Sequence, residues 1–111
     1  MDIDQLTIAQ ARELIALFGT GTPVPENPYK IGAAYLIRTV TYHMTGIVRR
    51  VTANEIVLDD AAWIGDSGRF AAAVISADFS EVDAVPGIEV IVGRGAITDA
   101  WPIPYAPKVT K

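Results

Sequence analysis

Residues 90–97 read Val90-Ile91-Val92-Gly93-Arg94-Gly95-Ala96-Ile97. Three β-branched residues in a row suit a pleated, half-buried strand. Gly93 and Gly95 interrupt that pattern around a single charged side chain. The apolar run to Trp101 resumes it, so two strands are expected, 88–92 and 96–101, joined or bent at Gly93-Arg94-Gly95. The segment fails as a nucleotide loop, because neither the six-residue dinucleotide fingerprint nor a Gly-Lys-Ser/Thr follows. Arg94 has two readings. Its planar fork suits a phosphate or the face of a base. As plain structure, it caps a bulged strand junction and pairs with Asp60 or Asp99.

Moving upstream, residues 34–60 are rich in Val, Ile, Thr and Tyr. Leu36, Val40, Tyr42 and Met44 alternate with Thr39, Thr41, His43 and Thr45, as in a strand. Gly46 breaks this run and predicts a bulge or sharp bend there. A second strand follows over 47–52, then a tight turn at Ala53-Asn54-Glu55 and a third strand from Ile56. Between residues 65 and 87 the strand pattern stops. Asp66 or Ser67 is placed to cap a short helix near 67–75, with Phe70, Val74 and Ile75 packed against the strands or a neighbouring subunit. Residues 78–86 read as loop.

The two ends differ. Thr7-Ile8-Ala9-Gln10 fits a capping box. Ile8, Ala11, Leu14, Ile15 and Phe18 then form an apolar stripe that Gly19 closes, so an N-terminal helix is expected over 2–19. Residues 20–32 carry three prolines and two glycines and form an extended connector. Pro102, Pro104 and Pro107 make 102–111 an extended tail, ordered only where a neighbour holds it.

At 111 residues the chain has the size of one domain. Half its residues are hydrophobic, which excludes disorder for its body. There is no Cys, so neither a disulfide framework nor a thiolate metal site is available. No apolar run approaches the length of a membrane span, and Met1-Asp2-Ile3-Asp4 is acidic where a signal peptide is basic. A cytoplasmic protein without membrane contact is expected. Lys30, Arg38, Arg49 and Arg50 lie in an acid-free stretch, whereas Asp59, Asp60, Asp66, Asp78, Glu81, Asp83 and Glu89 follow it. Such separation marks solvated faces or complementary surfaces between subunits. A net charge of −4 works against non-specific nucleic-acid binding.

Gly46-Ile47-Val48, leading through Val51 to Ile56-Val57-Leu58-Asp59-Asp60-Ala61, resembles the first Sm motif. The 90–97 segment resembles the second. The chain is thus similar to the Sm-like (LSm) superfamily. That resemblance implies a mainly β fold with an N-terminal α-helix. Its body would be a small, strongly bent five-stranded antiparallel open barrel, with an extra short helix between strands 3 and 4. The expected layout is a single domain over 1–111: helix 2–19, connector 20–32, first Sm-like segment 33–64, helical insertion 65–87, second Sm-like segment 88–101 and tail 102–111.

The departures from the family pattern fall in the RNA pocket. The loop between strands 2 and 3, Thr52-Ala53-Asn54-Glu55, is short and lacks the family's Asp, and only Asn54 matches. Ile97 comes one position early. The resemblance therefore implies a ring first, since rings depend on edge strands. A non-enzymatic, ring-forming structural or assembly module is expected, with itself as partner in a cyclic homo-oligomer. Such a divergent member suits a viral or mobile-element origin. Single-stranded RNA binding at a ring pore is the alternative, through Arg94, Gly95, Asn54, Arg50 and Tyr42. A protein partner on the insertion or tail is a further possibility. Trp63, Phe70 and Trp101 read as packing or interface anchors. His43 is the single histidine, with no nucleophile or carboxylate at a telling spacing, so no catalytic residue is expected. Asp59 and Asp60, as adjacent strand residues, point to opposite faces, so no metal and no cofactor is expected either.

Overall fold

The computed structural model describes residues 27–111. The expected N-terminal helix and most of the connector lie outside those residues. Six strands and one helix follow: β1 (Ala34–Thr39), β2 (His43–Val51), β3 (Glu55–Asp66), α1 (Phe70–Ser76), β4 (Glu81–Val85), β5 (Val90–Gly93) and β6 (Ile97–Ile103). They form one antiparallel sheet in the order β4-β3-β2-β1-β6, with β5 also on β3. A 3-10 turn, Arg94–Ala96, joins β5 to β6. The expected mainly β architecture is present, with the described helix after β3.

Three expectations need correction. The first strand ends at Thr39, and Gly46 lies inside β2. The Thr39 hydroxyl makes the hairpin: it donates to the Tyr42 carbonyl at 2.9 Å and accepts from the Tyr42 N–H at 3.1 Å. Gly46 is needed for a close approach, since a Cβ there would stand 3.0 Å from the Leu58 Cβ. Residues 81–85, expected as loop, form β4. With β5 it makes an interrupted fourth strand along β3, because Ala61 pairs with Val85 and Leu58 with Val90. The turn at Pro86-Gly87 separates the halves, and Gly87 takes φ 80°. The tail is held by its own chain: Ile103 and Ala106 are buried, and Lys111 exchanges two backbone hydrogen bonds with Val82.

One extra residue in β3 shapes the sheet. Thr45 pairs with Ala62 and Ile47 with Asp59, so β3 spends three steps where β2 spends two. Asp60 sits in this bulge at φ 49°, a conformation that Asp tolerates better than most side chains. A bulge shifts side chains to the opposite face. Ile56 and Leu58 accordingly pack with Tyr35, Ile37, Met44, Val48 and Val92 in one core. Ala62 and Ile64 pack with Leu36, Ala73, Phe79, Val82, Ile103 and Ala106 in another. The second core lies between the sheet and a cover made of α1, Phe79 and the tail.

The helix is shorter than expected and packs differently. Arg69 is its N-cap, without a side-chain capping bond. Asp66 instead accepts the Gly68 N–H at 2.8 Å in the preceding turn. Ala73 is buried and Val74 packs on the core, but Phe70 is 37% exposed and Ile75 74% exposed. The large buried side chain is Phe79, beyond the helix C-terminus, at 1% exposure. Phe79→Ala is therefore expected to cost about 3–5 kcal/mol of stability, and Phe70→Ala clearly less. Chemical denaturation of both variants checks the order; an equal or reversed order would remove Phe79 as the keystone of the cover.

Candidate functional site

The Gly93-Arg94-Gly95 segment leaves β5 as a turn and lies against the β2–β3 loop. That loop is closed by Thr52, whose hydroxyl accepts the Glu55 N–H at 3.0 Å. The Arg94 N–H donates to the Asn54 carbonyl at 2.8 Å, and its Nη1 donates to the Thr52 carbonyl at 2.8 Å. The guanidinium stands 5.7 Å from the ring centroid of Tyr29, a cation–π distance. Arg94, with Gly95 next to it in the chain, thus lies against Asn54. Arg94 takes neither Asp60 nor Asp99: Asp60 pairs with Lys108 at 3.4 Å, and Asp99 with Arg38.

The other candidates lie apart. Arg50 faces Glu89 at 4.0 Å. Tyr42 stacks on Trp63, with ring centroids 4.7 Å apart. The two rings line a cavity with Thr41, His43, Ile64 and Gly65, and Arg94 does not border it. Trp63 is 50% exposed and borders three cavities of about 250–310 Å³ around β3 and β4. Its exposed face is thus available for contact. The cations of the acid-free stretch are largely paired within the chain, since Arg38, Arg49 and Arg50 each face a carboxylate.

Tyr29 is the residue that the sequence reading missed. Its ring meets Tyr35 edge-on at 5.6 Å, and the Tyr35 hydroxyl accepts the Lys30 N–H at 2.9 Å. With Pro28, Ala33, Ala100 and Pro102 these residues line a cavity of about 330 Å³, and Tyr29 links it to Arg94. The only local signal was a Tyr-Lys pair within the proline-rich connector.

Both ends of the sheet are edges. Among the described residues β6 pairs with β1 alone and β5 with β3 alone. Ile88 and Ile91 are exposed at the β5 end, Ile91 by 61%. No group of three metal-ligating side chains occurs among the described residues, and no described helix is long and apolar enough to cross a membrane.

No family model and no curated protein matches the chain. Solved structures with a similar fold include a heptameric archaeal Sm protein, at 20% identity over 67% of this chain and 90% of the other, with a TM-score of 0.49. Another is the SmAP1 heptamer of P. aerophilum, at 20% identity over 68% of this chain and 84% of the other, with a TM-score of 0.48.

At the β1–β6 side, the Arg38 Nε donates to Asp99 at 2.7 Å and its Nη2 donates to the second carboxylate oxygen. Arg38 also lies over the Phe70 ring, which meets Trp101 edge-on at 4.9 Å. This packing joins α1 to β6. The Arg38 hydrogen bonds hold the Asp99 carboxyl below its ordinary pKa, aided by one from Trp101, and Asp99 in turn raises that of Arg38. A depressed folded-state pKa stabilises fully above the unfolded value, near 4, and that stability is lost as pH falls through the folded value. The thermal midpoint of Asp99→Asn should therefore fall less than that of the wild type as pH drops from about 5 to below 4. Parallel midpoint-against-pH curves would remove this pair as an acid-sensitive clamp.

Proposed function

We propose that the chain is a non-enzymatic, ring-forming Sm-like assembly module. The observation that supports this reading best is that β5 and β6, at the two ends of one bent antiparallel sheet, each have an edge unpaired among the described residues. An open edge presents a row of unmet N–H and C=O groups. Two different edges on one molecule suit head-to-tail pairing, which closes into a ring when the rotation between neighbours permits. The exposed Ile88 and Ile91 add apolar surface for such a neighbour to cover. Heptamers are the assemblies named for both similar structures.

Single-stranded RNA binding is the second reading, favoured by the convergence of Arg94, Asn54 and Tyr29. Arg94 already spends one donor on the Thr52 carbonyl, and Glu55 opens β3 right after the adjoining loop. A guanidinium alone holds a phosphate without reading sequence, and selective recognition needs stacking and base-edge groups around a splayed base. RNA affinity is therefore weak, salt-sensitive and indifferent to base identity.

Native mass spectrometry of the purified chain should give a closed homo-oligomer of one defined subunit number. A monomeric mass by light scattering across micromolar concentrations would overturn the ring. Titration with oligo-U and oligo-A at two salt concentrations should give equal, weak affinities that fall with salt. Submicromolar, base-selective binding at physiological salt, abolished by Arg94→Ala, would promote the RNA reading over the structural one.

A further inference from the structure

The two halves of the fourth strand do not offer the same edge. On β4, the Val82 N–H donates to the Lys111 carbonyl and its carbonyl accepts the Lys111 N–H, both at 2.9 Å. Two residues on, the Ala84 N–H donates to the Thr110 hydroxyl at 3.1 Å. Residues on the same side of a strand recur every second position, so the next outward position is Pro86, which has no N–H to give. Every outward backbone donor from Val82 to Pro86 is thus either satisfied or missing. On β5 no described residue takes the outer edge.

We infer that residues 108–111 form a strap that guards the β4 half of this edge and confines pairing with a second copy to β5. The inference rests on the ring reading above. The strap is built for release: two backbone bonds, one hydroxyl contact, an exposed ion pair between Lys111 and Asp78 at 3.5 Å, and a partly exposed one between Lys108 and Asp60 at 3.4 Å. Surface pairs of this kind hold weakly and are screened by salt. The firm anchor lies earlier, at buried Ala106. Residues 108–111 can therefore lift without unpacking the second core. Once lifted, they expose Val82 and Ala84 as a second pairing site beside β5, and the chain gains a longer edge than a closed ring uses.

The test is the triple variant Lys108→Ala, Thr110→Val, Lys111→Pro in the full chain, which keeps Ala106. Hydrogen exchange at the Val82 and Ala84 amides should speed up at least tenfold, with the circular dichroism spectrum unchanged. The mass by light scattering should rise at least twofold at equal concentration. Unchanged exchange, or faster exchange without added mass, would overturn the strap. A second variant, oxidised Ala84→Cys/Thr110→Cys, locks the strap and should leave the wild-type oligomer mass unchanged; dissociation on locking would show that β4 itself pairs between subunits. The two readings fail separately. A monomeric wild type whose triple variant self-associates would sink the ring and keep the strap. A ring whose mass ignores strap release would do the opposite.

Discussion

The bulge at Asp60 lets one strand serve two cores. In a regular strand without the bulge, Ile56, Leu58, Ala62 and Ile64 would all face the same side of β3, since side chains alternate strictly along a strand. With it, the first two fill the inner core and the last two meet the cover of α1, Phe79 and the tail. Burial on both faces also explains why four consecutive residues of β1, Ala34 to Ile37, are buried. Asp60 is held as well as bent. Its carboxylate accepts the Gly87 N–H at 3.2 Å and pairs with Lys108. These contacts, the Gly87 bond foremost, keep its pKa below the ordinary carboxylate value. One residue thus fixes the bend of β3, the turn between β4 and β5, and the approach of the tail.

Much of the sheet was legible because its chemistry is local. The β-branched content of 47–51, 56–58 and 90–92 marked β2, β3 and β5, and the glycines at 93 and 95 marked the turn into β6. What misled was chemistry that changes meaning with a partner. Val40 and Thr41 look like strand, yet Thr39 binds the backbone of Tyr42 and turns the chain there. Glu81-Val82-Asp83-Ala84-Val85 alternates as an edge strand should, but its carboxylates and the following Pro-Gly resemble loop. Polar side chains on the solvent side of an edge are ordinary. The double Asp at 59–60 was the visible trace of the bulge, since two polar residues in succession break a period of two.

The candidate site was legible only in part, for a related reason. Arg94, Gly95 and Asn54 sit in segments that the Sm-like pattern brings together, and their proximity follows from the pairing of β5 with β3. The aromatic pairs follow from no such pattern. Tyr42 on Trp63, Phe70 on Trp101 and Tyr29 on Tyr35 all join segments distant in sequence or separated by a turn. Their exposure reverses part of the anchor reading: Phe70 lies on the surface of the cover, and buried Phe79 takes the role expected of it. The charge split is likewise resolved by pairing, as the basic residues of β1 and β2 find carboxylates on β6, β3 and the turn before β5.

The two edges of the sheet also answer how an association through them keeps one register. Pro102 lies opposite Tyr35 in the β1–β6 ladder. A proline is tolerated in a strand where its missing N–H would point away from the partner, so the outer edge of β6 lacks a donor at its far end. The fourth strand lacks free donors over Val82 to Pro86, through the tail and through Pro86 itself. Among the described residues each edge is therefore blunted at one end and open over a short remaining stretch, β5 on one side and residues 98–100 on the other. Long, uniform edges permit slippage by two residues at small cost, whereas short stretches bounded by missing donors do not. Restricting the open backbone in this way favours a single register, and the rotation between neighbours in that register then decides between a closed ring and an open filament.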